Sequence, residues 1–401
     1  MIFKFVLFFL IISLMIDPTG DFYNFKYISA ILSSIIFGID FILNKRNSTI
    51  NYVQIIVFAA FCILMPLYGL LMTFFNKGLS TINDTSYLGF SVLLLILFPV
   101  TFIKPRFFLK TLILALRVLS FLTIIILISF VYDADSIGIA QFFIDKKSML
   151  VGFREYAGIQ TYFLYFTASP LLILLVAYDS HRLIKKVAIG NILLYTLSTV
   201  SIFLTGTRFN MLMAIFMLPI TIIIYKFKIK KIAYYSVFIF CFFILLSQSS
   251  FISSFFSSKD DSNSVKIGYF ASYASIFEQP EVLILGQGFS GYDSSILFRN
   301  MLNKFGNEGV KTELTAVELF RVFGLFFGSF FNIIIMSIPF FLYNKFKEIN
   351  FLIIGIVFYL ISSLINPYIF STNGVIIFLL IIVLLQNNNN SLITKKDFIY
   401  D

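Results

Sequence analysis

Apolar residues fall in long runs separated by short polar stretches. The runs lie approximately at 2–16, 27–43, 52–75, 87–103, 111–131, 161–178, 187–205, 209–225, 232–248, 314–343, 350–366 and 374–386. Several approach the ~20 residues that cross a hydrocarbon layer. Inside lipid every backbone amide needs an internal partner, so runs of this length predict helices. The pattern predicts an all-α fold, a polytopic transmembrane bundle of about twelve helices. The first and last runs are short, so ten or eleven helices also fit.

The connections set an orientation. Lys4, Lys45, Arg46, Lys104, Arg106, Lys110, Arg182, Lys185 and Lys186 fall on one side of the alternation, as do Lys226, Lys228, Lys230, Lys231, Lys345, Lys347, Lys395 and Lys396. Those loops are short and nearly free of acid, so the positive-inside rule places them, and both termini, in the cytoplasm. The opposite side carries two long connections, 132–160 and 249–313. The second, between helices 9 and 10, is too long for a simple connector. Short helices are expected in it near 265–277 and 295–305. Its 249–264 part is rich in Ser, and the tail 387–401 opens on four Asn. The organisation expected is one membrane domain, 1–386, and a cytoplasmic tail. No small-x-small cleavage site follows the first run, which ends in Asp17-Pro18-Thr19-Gly20, so the first helix reads as retained.

Composition sharpens this picture. The chain is 59% hydrophobic and 12% charged, against about 25% charged in soluble domains. Its solvent must largely be lipid. The net charge of +10 does not read as nucleic-acid binding, because the basic residues sit in short loops between apolar runs. Trp is absent, so an interfacial aromatic belt rests on the 21 Tyr. Cys62 and Cys241 lie inside apolar runs without metal-ligand spacing and read as packing residues. The single histidine, His181, falls between Asp179 and Arg182 in a predicted cytoplasmic loop. It reads as interfacial and non-catalytic, which excludes an outward-facing His base and a His-rich metal site. No metal and no cofactor are expected.

Candidate chemistry lies in charges that run against the orientation bias. Arg154 stands in Gly152-Phe153-Arg154-Glu155-Tyr156, and Arg208 in the tight turn Thr205-Gly206-Thr207-Arg208. Arg299 stands in the large connection, and Arg321 about two turns into the tenth helix. A charge at membrane depth is costly, and guanidinium suits a bidentate grip on phosphate. Snorkelling or a structural ion pair is the plainer alternative for each. Arg117, near a cytoplasmic helix end, reads as snorkelling. Glu318 and Arg321 share a helix face at i, i+3, which fits mutual neutralisation as well as catalysis. Gly324 and Gly328 form a GxxxG pattern that permits close helix packing. Gly286-Gln287-Gly288-Phe289-Ser290-Gly291 matches G-x-G-x-x-G, but in an outward loop it reads as a turn where backbone approaches a ligand or a helix.

Three segments together resemble the O-antigen polymerase (Wzy-type) family, within the wider O-antigen polymerase and ligase group. They are Leu197-Ser198-Thr199 through Thr205-Gly206-Thr207-Arg208, then Val282-Leu283-Ile284-Leu285-Gly286-Gln287-Gly288-Phe289, then Glu313-Leu314 through Glu318-Leu319-Phe320-Arg321-Val322-Phe323-Gly324. The Arg154 region resembles the family's Arg-containing third periplasmic loop. The likeness spans roughly 150–330. Some members show Arg, ten residues, then Gly; here Gly309 follows Arg299 after nine residues, and Arg154 has no such Gly. The related ligases rely on a periplasmic His, which His181 does not supply.

The resemblance implies a multi-pass protein of a bacterial inner membrane with its active site facing the periplasm. It implies glycosyl transfer from an undecaprenyl-pyrophosphate-linked glycan donor to a lipid-linked acceptor unit. In that reading Arg154, Arg208, Arg299 and Arg321 bind pyrophosphate, and Glu318 or Glu155 accepts the proton. The implied partners are the lipid-linked donor and acceptor, membrane lipid, a chain-length regulator and a flippase, with no nucleic acid. A flippase for the same lipid-linked unit, an O-antigen ligase and a structural membrane protein are the rival readings.

Overall fold

The structure is a computed structural model that describes residues 2–43 (apart from 19 and 22), 52–76, 85–132, 138–156, 159–227, 273–289 (apart from 275), 314–346 and 350–385. Helix dominates. In chain order the elements are α1 (Ile2–Ile16), α2 (Phe25–Leu43), α3 (Tyr52–Asn76), α4 (Ser86–Ile96), α5 (Pro105–Tyr132), α6 (Gly138–Asp145), β1 (Met149–Tyr156) and β2 (Ile159–Phe166). There follow α7 (Leu172–Lys185), α8 (Ile189–Phe203), α9 (Arg208–Phe227), α10 (Pro280–Leu285), α11 (Thr315–Phe346), α12 (Phe351–Ile365) and α13 (Thr372–Leu385). Among the described residues five helices are long and apolar enough to cross a membrane: α2, α3, most of α5, α9 and α11. The run at 232–248, the tail 387–401, residues 265–272 of the short helix expected at 265–277, and the one expected at 295–305 lie outside the described residues.

The chain divides into two compact units. The first comprises Met1–Leu112, Asp261–Glu348 and Leu360–Asp401; the second comprises Ile113–Asp260 and Ile349–Tyr359. The core of the first is an aromatic cluster. Phe61 of α3 packs on Phe90, Phe331, Phe370 and Phe378. Phe61 lies in a π-helical turn, Ala59–Leu64. A π turn misaligns the regular i→i−4 ladder, and the Ser91 hydroxyl of α4 donates to the Phe61 carbonyl at 2.7 Å. That satisfies a backbone acceptor which lipid could not.

Two expectations fail here. The run at 161–178 is not one helix. Its first part is β2, which pairs antiparallel with β1 in the register Gly152↔Phe163 and Arg154↔Thr161. Only after Ser169-Pro170 does α7 begin. The fold remains mostly helical, consistent with an all-α membrane protein, and carries one β-hairpin. Short apolar runs do not distinguish strand from helix by periodicity alone, and Tyr162, Phe163, Tyr165 and Phe166 are strand-favouring aromatics.

The second failure concerns Asp179 and His181. Both lie buried within α7, not in a loop. Arg117 of α5 does not snorkel. Its guanidinium grips both carboxylate oxygens of Asp179, with Nη1 to Oδ2 at 2.5 Å. A buried charge in lipid is tolerated when paired, and this pair ties α5 to α7. His181 packs between Tyr225 and Phe351.

Candidate functional site

In the first unit the site grows from a single residue, Gly324. Its φ of +70° and ψ of −179° lie in a region essentially open only to glycine. α11 therefore breaks there into two arms, 315–323 and 325–346. The arms fold close together. A Cβ on Gly328 would lie 2.8 Å from the Leu319 carbonyl oxygen, and the Asn332 amide donates to the Ala316 carbonyl at 3.1 Å. In a straight helix residues sixteen apart would be about 24 Å distant. Gly324 and Gly328 thus do not form the continuous GxxxG face expected from their spacing. They mark a reversal.

A break of this kind strips carbonyls of their helical partners. The segment following α10 supplies replacements. The Gln287 amide donates to the Arg321 carbonyl at 2.7 Å, and the Gly288 amide to the Val322 carbonyl at 3.0 Å. The fit requires Gly286 and Gly288, both at positive φ. A Cβ on Gly286 would overlap the Val322 carbonyl, and one on Gly288 would overlap Thr73. The approach of backbone to a helix read from Gly286-Gln287-Gly288 is what this segment does.

The far side of the segment rests on α3. Asn76 donates to the Gly286 carbonyl at 3.0 Å, Tyr68 to the Leu285 carbonyl at 2.9 Å, and the Phe289 amide to the Thr73 hydroxyl at 2.6 Å. Phe289 is fully buried and lies over Gly69, where a side chain would occupy its ring.

Inside this corner sit Glu318 and Arg321, at 1% and 0% exposure. Arg321 Nη2 donates to Glu318 Oε1 at 2.6 Å, and its Nε reaches both oxygens at 3.0–3.1 Å. Arg321 Nη1 donates to Gln287 Oε1 at 3.2 Å, and the Tyr273 hydroxyl donates to Glu318 Oε2 at 2.5 Å. A buried ion pair persists only when its remaining hydrogen-bonding capacity is met. Tyr273 and Gln287, both from the long connection, contribute to meeting it.

In the second unit a different site forms around Gly206, at φ +64°. The turn Thr205-Gly206-Thr207 closes α8 and opens α9, whose first residue is Arg208. Thr205 is held by its hydroxyl bond to the Ile202 carbonyl at 2.8 Å and by the Asn210 amide at 3.0 Å. The turn lies against the hairpin. The Leu164 amide donates to the Leu204 carbonyl at 2.8 Å, and a Cβ on Gly206 would lie 2.5 Å from Phe163 Cβ. Phe163 also faces Gly152, its partner on β1. Position 154 is two residues further along that strand, about 7 Å away. Arg208 itself is half-buried. It sits at a helix N-terminus, where amide groups and the helix dipole also favour an anion.

Of the residues singled out in the sequence, Glu318 and Arg321 meet directly. Arg208 lies on the hairpin-bound turn, and Arg154 and Glu155 lie in β1. Arg299 lies outside the described residues. Sequence reasoning missed Tyr273, Gln287, Thr73, Asn76 and Asn332. Their contacts cross up to 216 positions, and the only local signal was the pair of glycines flanking Gln287. Comparison with family models, curated proteins and solved structures found no match to this chain.

Proposed function

We propose that this protein polymerises undecaprenyl-pyrophosphate-linked repeat units into a surface polysaccharide of the O-antigen kind, at the periplasmic face of a bacterial inner membrane. One observation carries the reading. Four stretches with a likeness to the polymerase family, scattered along the sequence, pair off in space. The 282–289 stretch is hydrogen-bonded into the break beside Glu318 and Arg321. The hairpin that carries Arg154 is bonded to the turn that carries Arg208.

In the proposed reaction a hydroxyl oxygen of the acceptor sugar attacks the anomeric carbon of the donor. The bond from that carbon to the pyrophosphate oxygen breaks, and undecaprenyl pyrophosphate leaves with the electron pair. The leaving group is already anionic, so it needs charge stabilisation more than protonation. In this reading Arg208, half-buried at a helix start, gives it. Arg154 and Arg299 complete the set of cations in this reading. Arg321 is enclosed, so its role is to hold the corner that the long connection closes. Glu318 already accepts from Arg321 and Tyr273 through both oxygens, so the hydroxyl proton passes in this proposal to Glu155.

A flippase is the alternative from another class. Such a protein alternates between two packings, and the corner at Gly324, braced from two sides by hydrogen bonds, argues against large movement there. Deleting the gene separates the two. The polymerase reading expects surface glycan one repeat unit long. Loss of all repeat-bearing lipid from the outer face would favour transport instead.

A further inference from the structure

In the first unit two irregular turns face each other across an apolar groove. α3 carries the π turn Ala59–Leu64. The chain after α4 carries a 3-10 turn, Phe98–Phe102, with Pro99 at its start. Proline cannot extend the α-helical ladder of α4. The Phe58 ring packs on Phe98 at 4.8 Å, and Phe98 packs on Phe102 at 5.1 Å. Beside these rings lies a groove of about 180 Å³. Ile55, Ala59 and Ile63 recur every four residues, so they form one stripe of α3 along it. Phe98 and Phe102 form the facing wall, and the buried Ile382 of α13 lies at its base. Ile55 and Ile63 are 56% and 52% exposed, so the groove is reached from the outer side of α3.

The lining says what kind of molecule fits. Its two polar side chains are both engaged by the fold. The Gln54 amide donates to the Ile382 carbonyl at 2.7 Å, and the Thr101 hydroxyl to the Phe98 carbonyl at 2.6 Å. A water would need about two to four polar partners, so the groove suits hydrocarbon. An apolar cavity of ~150 Å³ takes a benzene ring, so this one takes a short stretch of alkyl chain. α3 is long and apolar enough to cross a membrane, and the hydrocarbon around such a helix is lipid. Charge says which lipid. Lys104 stands two residues beyond Phe102, so their Cα atoms are at most about 7 Å apart. Lys104 is exposed, as are Arg106 and Lys110. Basic residues just beyond an apolar groove match an anionic headgroup. The positive-inside rule assigns this loop to the cytoplasm, the face opposite to the proposed glycosyl transfer, which favours a phospholipid over the substrate carrier.

We propose that the groove between the π turn of α3 and the 3-10 turn Phe98–Phe102 seats one acyl chain of an anionic phospholipid, whose phosphate meets Lys104. The chain supplies the packing that the two irregular turns do not give each other. This inference is independent of the polymerase reading and requires only that α3 cross a membrane.

The absence of Trp from the chain allows single-Trp reporters. Full chains carrying Ile55→Trp, Ile63→Trp or Leu67→Trp are reconstituted in nanodiscs that contain either brominated phosphatidylglycerol or brominated phosphatidylcholine. Quenching at each position is fitted to a relative binding constant for the two lipids. At the groove rims, 55 and 63, the constant should favour phosphatidylglycerol about fivefold, the worth of one lysine contact. Adding Lys104→Gln should bring it back to near one. Leu67, exposed on α3 but outside the groove, should stay near one throughout and report the surrounding bilayer. No preference at either rim overturns the proposal. So does a preference that Lys104→Gln leaves unchanged. A preference removed by undecaprenyl phosphate, but not by unlabelled phosphatidylglycerol, also overturns it and assigns the groove to the carrier lipid. The two rim variants are separate proteins, so failure of one to fold leaves the other decisive.

Discussion

The corner at Gly324 and the turn at Gly206 use the same device, a glycine at positive φ beside an arginine, to opposite ends. At Gly324 the arginine is sealed. Arg321 has no exposed surface and spends its guanidinium on Glu318 and Gln287. At Gly206 the neighbouring Arg208 remains half-buried at the head of a helix. Both read alike in the sequence, as cations against the orientation bias. Their enclosure separates them: Arg321 is fully buried, whereas Arg208 keeps part of its surface exposed. An intramembrane charge is therefore not by itself a catalytic charge, since one that is fully enclosed and paired, as Arg321 is, holds structure.

The comparison breaks first at Arg321. Arg321→Ala leaves the Glu318 carboxylate buried without its counter-charge, a loss of about 3–5 kcal/mol. The variant should lose most of its folded yield in detergent, measured by size-exclusion profile and thermal unfolding. Chain extension falls with it, but only in proportion to the protein lost. Gly324→Ala comes next. Its Cβ overlaps the Ile284 carbonyl and its backbone leaves the allowed region, for a loss of about 3 kcal/mol, read in the same unfolding assay. Thr73→Val removes the acceptor of the Phe289 amide and should lower stability by about 1–2 kcal/mol. Arg208→Ala, at a partly exposed position, should cost clearly less stability than Arg321→Ala, yet end chain extension at normal expression. Equal loss of stability at Arg208 and Arg321 would erase the distinction.

The apolar runs were a good guide to helices. The run at 2–16 matches α1 and that at 52–75 nearly matches α3, because lipid forces helix wherever a long apolar segment crosses it. Legibility ended where apolar residues serve something other than a span. Tyr162 to Phe166 is as apolar as a helix, but it pairs with β1. The Glu318–Arg321 contact was visible from i, i+3 spacing. That Gly324 ends the helix was not, since a glycine in an apolar run reads equally as a packing notch. The partners Tyr273 and Gln287 were not legible either, because they reach the pair through tertiary contact from the long connection. The different enclosure of Arg208 and Arg321 was hidden for the same reason.

The central claim is chain extension at a membrane site that uses lipid-pyrophosphate donors. The direct measurement reconstitutes the purified full chain in nanodiscs with lipid-pyrophosphate-linked repeat units and resolves the products by gel. The account predicts a ladder of longer lipid-linked glycans with stoichiometric release of the lipid pyrophosphate, absent from the Arg208→Ala protein. Repeat units that stay one unit long in nanodiscs, but cross the bilayer when the same protein is placed in sealed vesicles, would contradict it.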